Sequence, residues 1–458
     1  MKRWLDHDRF AVYGLGRSGR AAANLLARHG KRVLASDRRA EIDLAGLDAG
    51  VDVELGGNVA GDAEVVVVSP GLRPSLDVFR AIGSDVEVIS EIELAWEAAE
   101  APMVGITGTD GKTTTTALTA HMLTEGGVET VAAGNIGTPL CEVVESVGAE
   151  GVIVAEVSAF QLWTTHRFRV RAGAFTNIAE DHLDYFDDFD DYVAAKRQLV
   201  ANCVAGDLGV FNADDPVVRR WAAAFPHRRA LYSVRGRPED RAEIAAWYDD
   251  AGRYVAMVEE GEETVYLDCG RLDAAGLRGP HNYANTMAAA ALARSRGVDW
   301  EAIAAATSSF EPLPHRMQFV TEIDGVSFYD DSKATNAHAA LAGLGSIPGR
   351  LVVIAGGVDK GLDLGEFSAT LAARCDAVVL IGELRDRLRA SLEVSGLDAA
   401  RVTMAETLEE AVEDARTRAA DAGATVVLSP ACSSFDMFDS YAHRGEVFQR
   451  AVRALEAD

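Results

Sequence analysis

Three times along the chain a short run of β-branched apolar residues leads into a glycine-rich turn and then a helical pattern rich in alanine and leucine. The runs are Phe10–Tyr13 into GLGRSG, Pro102–Ile106 into TGTDGKTTTT, and Leu351–Ile354 into AGGVDKG. This order is the mark of parallel βαβ units, and it predicts an α/β chain of three domains. Residues 1–100 read as a Rossmann-like domain, 101–311 as a central P-loop-type domain with a mostly parallel sheet, and 312–458 as a second Rossmann-like domain. The first boundary falls where the helical pattern SEIELAWEAAE ends before Pro102, the second in Phe310–Arg316, whose two prolines disfavour helix and strand alike. From Arg235 to Arg271 the rhythm gives way to short strands around Asp-Asp-Ala-Gly and Glu-Glu-Gly-Glu turns, which predicts a small antiparallel insertion.

With 48% hydrophobic and 25% charged residues over 458 positions, the chain is neither disordered nor fibrous. Its net charge of −27 repels phosphodiester backbones, so no nucleic-acid partner is expected and any phosphate site must be local and built by a motif. No apolar run approaches the roughly 18 residues of a membrane span, and the start lacks the apolar core of a signal peptide. Five cysteines, odd in number and without a C-x-x-C pair, point to a reducing compartment and away from disulfides or zinc. A cytoplasmic monomer is expected. Only six lysines occur, Lys2, Lys31, Lys112, Lys196, Lys333 and Lys360, so their positions are informative.

Gly14-Leu-Gly16-Arg17-Ser18-Gly19 leaves a strand and opens a helix, and Asp37 ends the next strand. Such glycines admit the backbone to a diphosphate and the helix N-terminus faces its charge. From this motif alone a nicotinamide cofactor and an ordinary structural turn both stay open. Ser69-Pro70-Gly71, after Val65–Val68, is likewise either a ligand-facing strand end or a plain turn. More specific is Gly105-Ile-Thr-Gly108-Thr109-Asp110-Gly111-Lys112-Thr113, between a strand and a helix. Its amides can cradle phosphates, Lys112 can reach the terminal ones, and Thr113 can ligate Mg²⁺. It is shorter than the general P-loop, with Ile106 where that pattern has glycine.

Glu156 and His182 follow successive apolar runs and are the candidate Mg²⁺ ligands or their supports. Lys196, in Tyr192-Val-Ala-Ala-Lys196, reads by default as an exposed helix lysine. Asn282 and Asn285 either read an adenine edge or cap the following helix. At two later strand ends, Asp330-Asp331-Ser332-Lys333-Ala-Thr335 and Ser429-Pro-Ala-Cys432-Ser433-Ser434 offer hydroxyls and amides for a carboxylate, with Lys333 and Lys360 as charge partners. Cys432 has no base nearby in sequence and reads as a packed thiol beside the site.

These strings, with GNIG at Gly134–Gly137, SAFQL, DHLD, HRMQ and LSPACSSFDMF, resemble the Mur ligase family of ATP-dependent amide-forming enzymes over essentially the whole chain. Several also occur in folylpolyglutamate synthetases. GLGRSG, SAFQL, DSKATN and LSPACSSFD are most similar to the D-glutamate-adding branch. The resemblance implies that ATP phosphorylates the terminal carboxylate of UDP-N-acetylmuramoyl-L-alanine and that the D-glutamate amine attacks the acyl phosphate. It puts Arg17, Ser18, Asp37, Arg38, Ser69, Pro70, Gly71, Asn135 and His182 on the UDP-sugar, in place of a nicotinamide. Gly108, Thr109, Asp110, Gly111, Lys112, Thr113 and Thr114 would hold ATP phosphates, and Asn282, Asn285, Arg316 and Asp331 the rest of the nucleotide. Thr113 and Glu156 would ligate one Mg²⁺, and His182 with a carbamylated Lys196 a second. His182, Thr335, Lys360, Ser434 and Tyr441 would receive D-glutamate, with Lys333 near the acyl centre, so that Lys112, Glu156, His182, Lys196, Arg316 and Lys333 form the implied catalytic set. His182 is the implied acceptor of the amine proton. The sequence departs from the family pattern at Asp110 (usually asparagine), Ala159 (a serine), Gln318 (a glutamate) and Tyr441 (a phenylalanine).

Overall fold

The computed structural model describes residues 4–72, 79, 82–181, 185–259, 261–359 and 364–455; His182 and Lys360 lie outside the described residues. Three sheets are present, distributed over two compact units: Met1–Leu272 with Asn282–Phe310, and Asp273–His281 with Glu311–Asp458.

The first unit holds two sheets. β1 (Arg9–Tyr13), β2 (Arg32–Asp37), β3 (Val51–Leu55), β4 (Val65–Val68) and β5 (Glu87–Ser90) form an all-parallel sheet in the order β3-β2-β1-β4-β5. The order reverses between β1 and β4, and ligands of such sheets bind beyond the strand ends at that reversal. The GLGRSG and SPG turns leave β1 and β4 there. Gly19 is required at this turn, because a Cβ on it would lie 1.8 Å from the Gly14 carbonyl oxygen.

The central sheet comprises β6 (Met103–Thr107), β7 (Thr130–Gly134), β8 (Val152–Glu156), β9 (Ala172–Phe175), β10 (Leu208–Asn212), β11 (Arg228–Ser233), β12 (Ile244–Asp249), β13 (Tyr254–Glu259) and β14 (Glu262–Asp268). Their order is β14-β13-β12-β11-β10-β9-β6-β8-β7. β6 and β8 are buried throughout, which is why both read as unbroken apolar runs. The antiparallel stretch expected after Arg235 is present, but as a continuation of this sheet: β12 pairs parallel with β11, and β13 and β14 add antiparallel strands at the edge.

One buried apolar cluster runs through both sheets of the first unit, joining residues such as Leu25 and Ile89 to Leu140, Leu162 and Phe168. Its seam is the helix Glu91–Ala98, whose Glu91 and Glu93 are fully buried. Glu93 accepts from Trp4 Nε1 and from the backbone amides of His166, Arg167 and Phe168 at 2.7–3.0 Å. Glu91 accepts from the Cys141 amide at 2.7 Å, and burial pushes its carboxyl up to about 7.

In the second unit β15 (Gln318–Ile323), β16 (Val326–Asp330), β17 (Leu351–Gly356), β18 (Cys375–Ile381), β19 (Val402–Met404) and β20 (Thr425–Leu428) run in the order β15-β16-β20-β17-β18-β19. Only β15, at the edge, is antiparallel. Apolar clusters cover both faces of this sheet. All five cysteines are buried free thiols. Among the described residues no helix is long and apolar enough to cross a membrane.

Candidate active site

The loop after β6 turns into the helix Lys112–Glu125, so the first amides of that helix point back over the turn. Gly111 precedes the helix at φ +78°, and a Cβ there would meet Asn285 Oδ1 at 2.4 Å, so both conformation and space demand glycine. Neighbouring strand ends brace the loop. Thr109 N donates to the Asn177 carbonyl at 2.8 Å and Asp110 N to Asn177 Oδ1 at 3.0 Å. Thr176 and Asn177 both donate to the Asp110 carbonyl. The Thr109 hydroxyl meets Tyr192 OH at 3.0 Å and donates to the Ala179 carbonyl.

Lys112 Nζ is turned onto the loop itself, donating to the Gly108 carbonyl at 3.0 Å and the Thr109 carbonyl at 2.6 Å. Lys196, expected by default on a solvated helix face, is instead 2% exposed. Its Nζ donates to the same Gly108 carbonyl at 2.6 Å and lies 4.6 Å from the centre of the Tyr192 ring. Burial and the charge of Lys112 hold its pKa well below the usual lysine range, against the pull of Asp181, Asp110 and Glu156.

Glu156 ends β8 and is 1% exposed. Its Oε1 accepts from Asn135 Nδ2 at 2.7 Å, whereas Oε2 is buried with no hydrogen-bond partner among the described residues. An orphaned carboxylate oxygen is costly unless a cation or donor meets it. Thr113 and Thr114 are buried in the first turn of the loop's helix. Asn282 and Asn285 do not cap: they lie inside the helix Pro280–Ser295, bonded to each other at 3.3 Å, and Asn285 Oδ1 accepts from Thr115 Oγ1 at 3.3 Å. Asn285 therefore backs the phosphate loop directly. Ser158 forms a capping box with Gln161, which accounts for those two positions of SAFQL as a helix start.

At the ends of β1, β2 and β4, Arg17, Arg38 and Gly71 are exposed and Ser18, Ser69 and Pro70 half-buried. Asp37 is 5% exposed and already engaged: it accepts from the Leu15 amide at 2.8 Å and from the Arg39 guanidinium, which holds its carboxyl well below the usual range. Tyr185 OH donates to the Pro70 and Leu72 carbonyls and so ties the SPG turn to the loop after β9.

In the second unit Arg316 stands between His315 (φ +63°) and Met317 (φ +44°), conformations that side chains rarely adopt. The strained turn is held by His315 Nδ1 on Asp330 Oδ2 at 2.7 Å and by Gln318 Oε1, which accepts from the His315 amide and from Gln449 Nε2. Arg316 Nε is buried without a partner among the described residues. Burial pushes the Asp331 carboxyl up to about 7, opposed by Arg316. Lys333 Nζ lies 5.3 Å from the Tyr441 ring centre, Thr335 is half-buried, and Ser434 and Cys432 are buried. Beneath them is Arg444, fully buried, donating to Ser332 Oγ, the Ser332 carbonyl and the Cys432 carbonyl at 2.8–3.0 Å. It clamps the DDSKATN and LSPACSSFD loops together, and the sequence reading missed it. Its one signal is its register with the buried Val447, Phe448 and Val452 of the helix Tyr441–Ala454.

A glycine-rich strand-to-helix loop on an interior strand, backed by a buried lysine and a strand-end carboxylate, defines a phosphate-binding α/β protein of P-loop type. Residues 106–293 match the Mur ligase middle domain and 315–432 the Mur ligase glutamate ligase domain. The chain is 39% identical to a UDP-N-acetylmuramoylalanine–D-glutamate ligase of Salinibacter ruber over 98% of both chains. It is 37% identical to the enzyme of that name from Pelotomaculum thermopropionicum over 97% of both. Solved structures of similar fold include the UDP-N-acetylmuramate-alanine ligase of Thermotoga maritima (TM-score 0.58, 17% identity, 99% and 100% of the chains covered). Another is a pseudomurein peptide ligase type C of Methanothermus fervidus (TM-score 0.59, 20% identity, 98% and 100% covered). The chain belongs to the Mur ligase family.

Proposed function

We propose that this chain is the ATP-dependent ligase that joins D-glutamate to UDP-N-acetylmuramoyl-L-alanine, in the cytoplasmic synthesis of peptidoglycan precursors. The observation that carries the reading is the convergence on the Gly108 carbonyl of Lys112 and the buried Lys196, with Glu156 coupled to Lys196 by charge. The substrate carboxylate attacks the γ-phosphorus of ATP and ADP leaves. The D-glutamate amine then attacks the acyl carbon, phosphate departs, and the amine proton passes to a base, the role proposed for His182. Lys112 and the loop amides hold the transferring phosphoryl group, since such transfer is mainly positioning and charge neutralisation. Arg316 and Asp331 are proposed as further nucleotide contacts, and Thr335, Lys360, Ser434 and Tyr441 as receivers of D-glutamate, with Lys333 toward the acyl group.

Mg²⁺ fits the residues present. Among the described residues no three acidic, histidine or cysteine side chains converge, so the ion would rest on Glu156 Oε2 and Thr113 together with phosphate oxygens, as this cation commonly does. When bound it supplies charge neutralisation at the phosphates. Lys196, as a neutral amine, can add to CO₂ with loss of one proton. The product is a carbamate, which replaces a neutral nitrogen beside Lys112 by an anionic oxygen donor.

Phosphate release from ATP with Mg²⁺ and UDP-N-acetylmuramoyl-L-alanine is expected with D-glutamate and not with L-glutamate, meso-diaminopimelate or L-lysine, at low and high KCl. Stripping dissolved CO₂ should slow it and bicarbonate restore it. Release with a different acceptor would overturn the assigned substrate. Indifference to CO₂ would overturn the carbamate alone.

A further inference from the structure

At the edge of the central sheet opposite the phosphate loop, where β6, β9, β10 and β11 begin, lies a cavity of 770 Å³. Five arginines line it, Arg167, Arg169, Arg171, Arg228 and Arg296, against only three carboxylates, Glu97, Glu100 and Asp207. On a chain carrying −27 overall this is a local inversion of charge, and the partners of each guanidinium show where it is unspent. Asp207, buried, takes both its oxygens to Arg169 at 2.7 and 2.9 Å, which leaves Arg171 3.5 Å from an oxygen already shared. Arg228 is paired with Glu243 outside the lining, and Arg167 lies 3.9 Å from Glu97 Oε2 and stacks 3.9 Å from the centre of the Trp4 ring. Arg296 makes no side-chain hydrogen bond or ion pair among the described residues, and its Nε is buried.

We propose that this cavity binds a small polyanion of the phosphate class, gripped between Arg171 and Arg296. Guanidinium forks match phosphate oxygens in pairs, and the Arg169–Asp207 pair fixes the wall from which Arg171 reaches. Burial, and then Arg171 as a like charge, lower the Arg296 pKa, which is the electrostatic state that an anion between the two relieves. The five residues of β6 separate this cavity from the phosphate loop by roughly 13 Å or more of extended chain, so the two sites have no residue in common.

The test is calorimetric titration with inorganic pyrophosphate, in EDTA, of the full chain carrying Lys112→Ala to silence the phosphate loop. Saturable binding is expected, weakened about ten- to a hundredfold by Arg171→Gln or Arg296→Gln, the range for loss of a charge-assisted hydrogen-bonding pair. Citrate, a polyanion without phosphorus, should bind more weakly; equal binding would overturn the phosphate class. No binding, or binding indifferent to both arginines, would overturn the site. A melting measurement guards against misfolding. Without ligand, Arg296→Gln alone should melt no lower than the parent, since a like-charge contact is removed, while the pyrophosphate-induced rise in melting temperature should be lost. A lower melting temperature without ligand would mark Arg296 as structural and sink the proposal. With Lys112 intact, the Arg296→Gln chain should turn over at the parent rate.

Discussion

Lys112→Ala is expected to lower D-glutamate-dependent phosphate release about a thousandfold, the loss typical when one preorganised charge is removed from a transferring phosphoryl group. That is about 4 kcal/mol of transition-state stabilisation. The fold should be indifferent, because the ammonium bonds only two carbonyls of its own loop, those of Gly108 and Thr109. Circular dichroism and the melting curve of the variant should therefore overlay those of the parent while turnover vanishes. An activity loss under tenfold would mean that Lys112 does not face the reacting phosphate.

Glu93→Ala should have the largest effect on stability, about 4 kcal/mol. The carboxylate is 0% exposed and accepts four hydrogen bonds, three of them from consecutive backbone amides, His166 to Phe168. Alanine leaves all four donors buried and unmet, and a helix residue cannot be replaced there by water without opening the seam between the two sheets. All six tryptophans lie in the first unit, so the urea midpoint read by tryptophan fluorescence reports on this unit alone. Glu93→Gln, which keeps one acceptor oxygen, should recover part of the loss. A shift worth less than about 1 kcal/mol would show that the seam repacks around the missing carboxylate.

The phosphate loop and the GLGRSG turn were legible because their chemistry is local: glycine where φ is positive or space is absent, lysine and threonine at a helix start. Glu156 was legible for a similar reason, an acid closing an apolar run. Lys196 was not. By default it reads as an exposed helix lysine, and what it meets is the Tyr192 ring and the Gly108 carbonyl, the latter 88 positions away in sequence. The burial of Glu91 and Glu93 was not legible either, since acids in a short helix ordinarily face water, and the amides they bind lie 50 and 74 positions away in sequence. Arg444 joins two loops that only the folded sheet brings side by side. Likewise the apolar cluster that merges the first two sheets into one compact unit is assembled from faces whose partners periodicity cannot name.

The buried thiols give the molecule an internal gauge. Cys141 sits beside Glu91 at the seam, Cys203 and Cys269 in the central-sheet region, and Cys375 and Cys432 in the second unit. Burial pushes the Cys203 and Cys375 thiols up to about 12, so in the closed fold they are neither accessible nor ionised. Alkylation must then wait for local opening, and its rate at each sulfur counts how often that part of the structure breathes. A chain with no disulfide to hold it carries five separate clocks, three in one unit and two in the other.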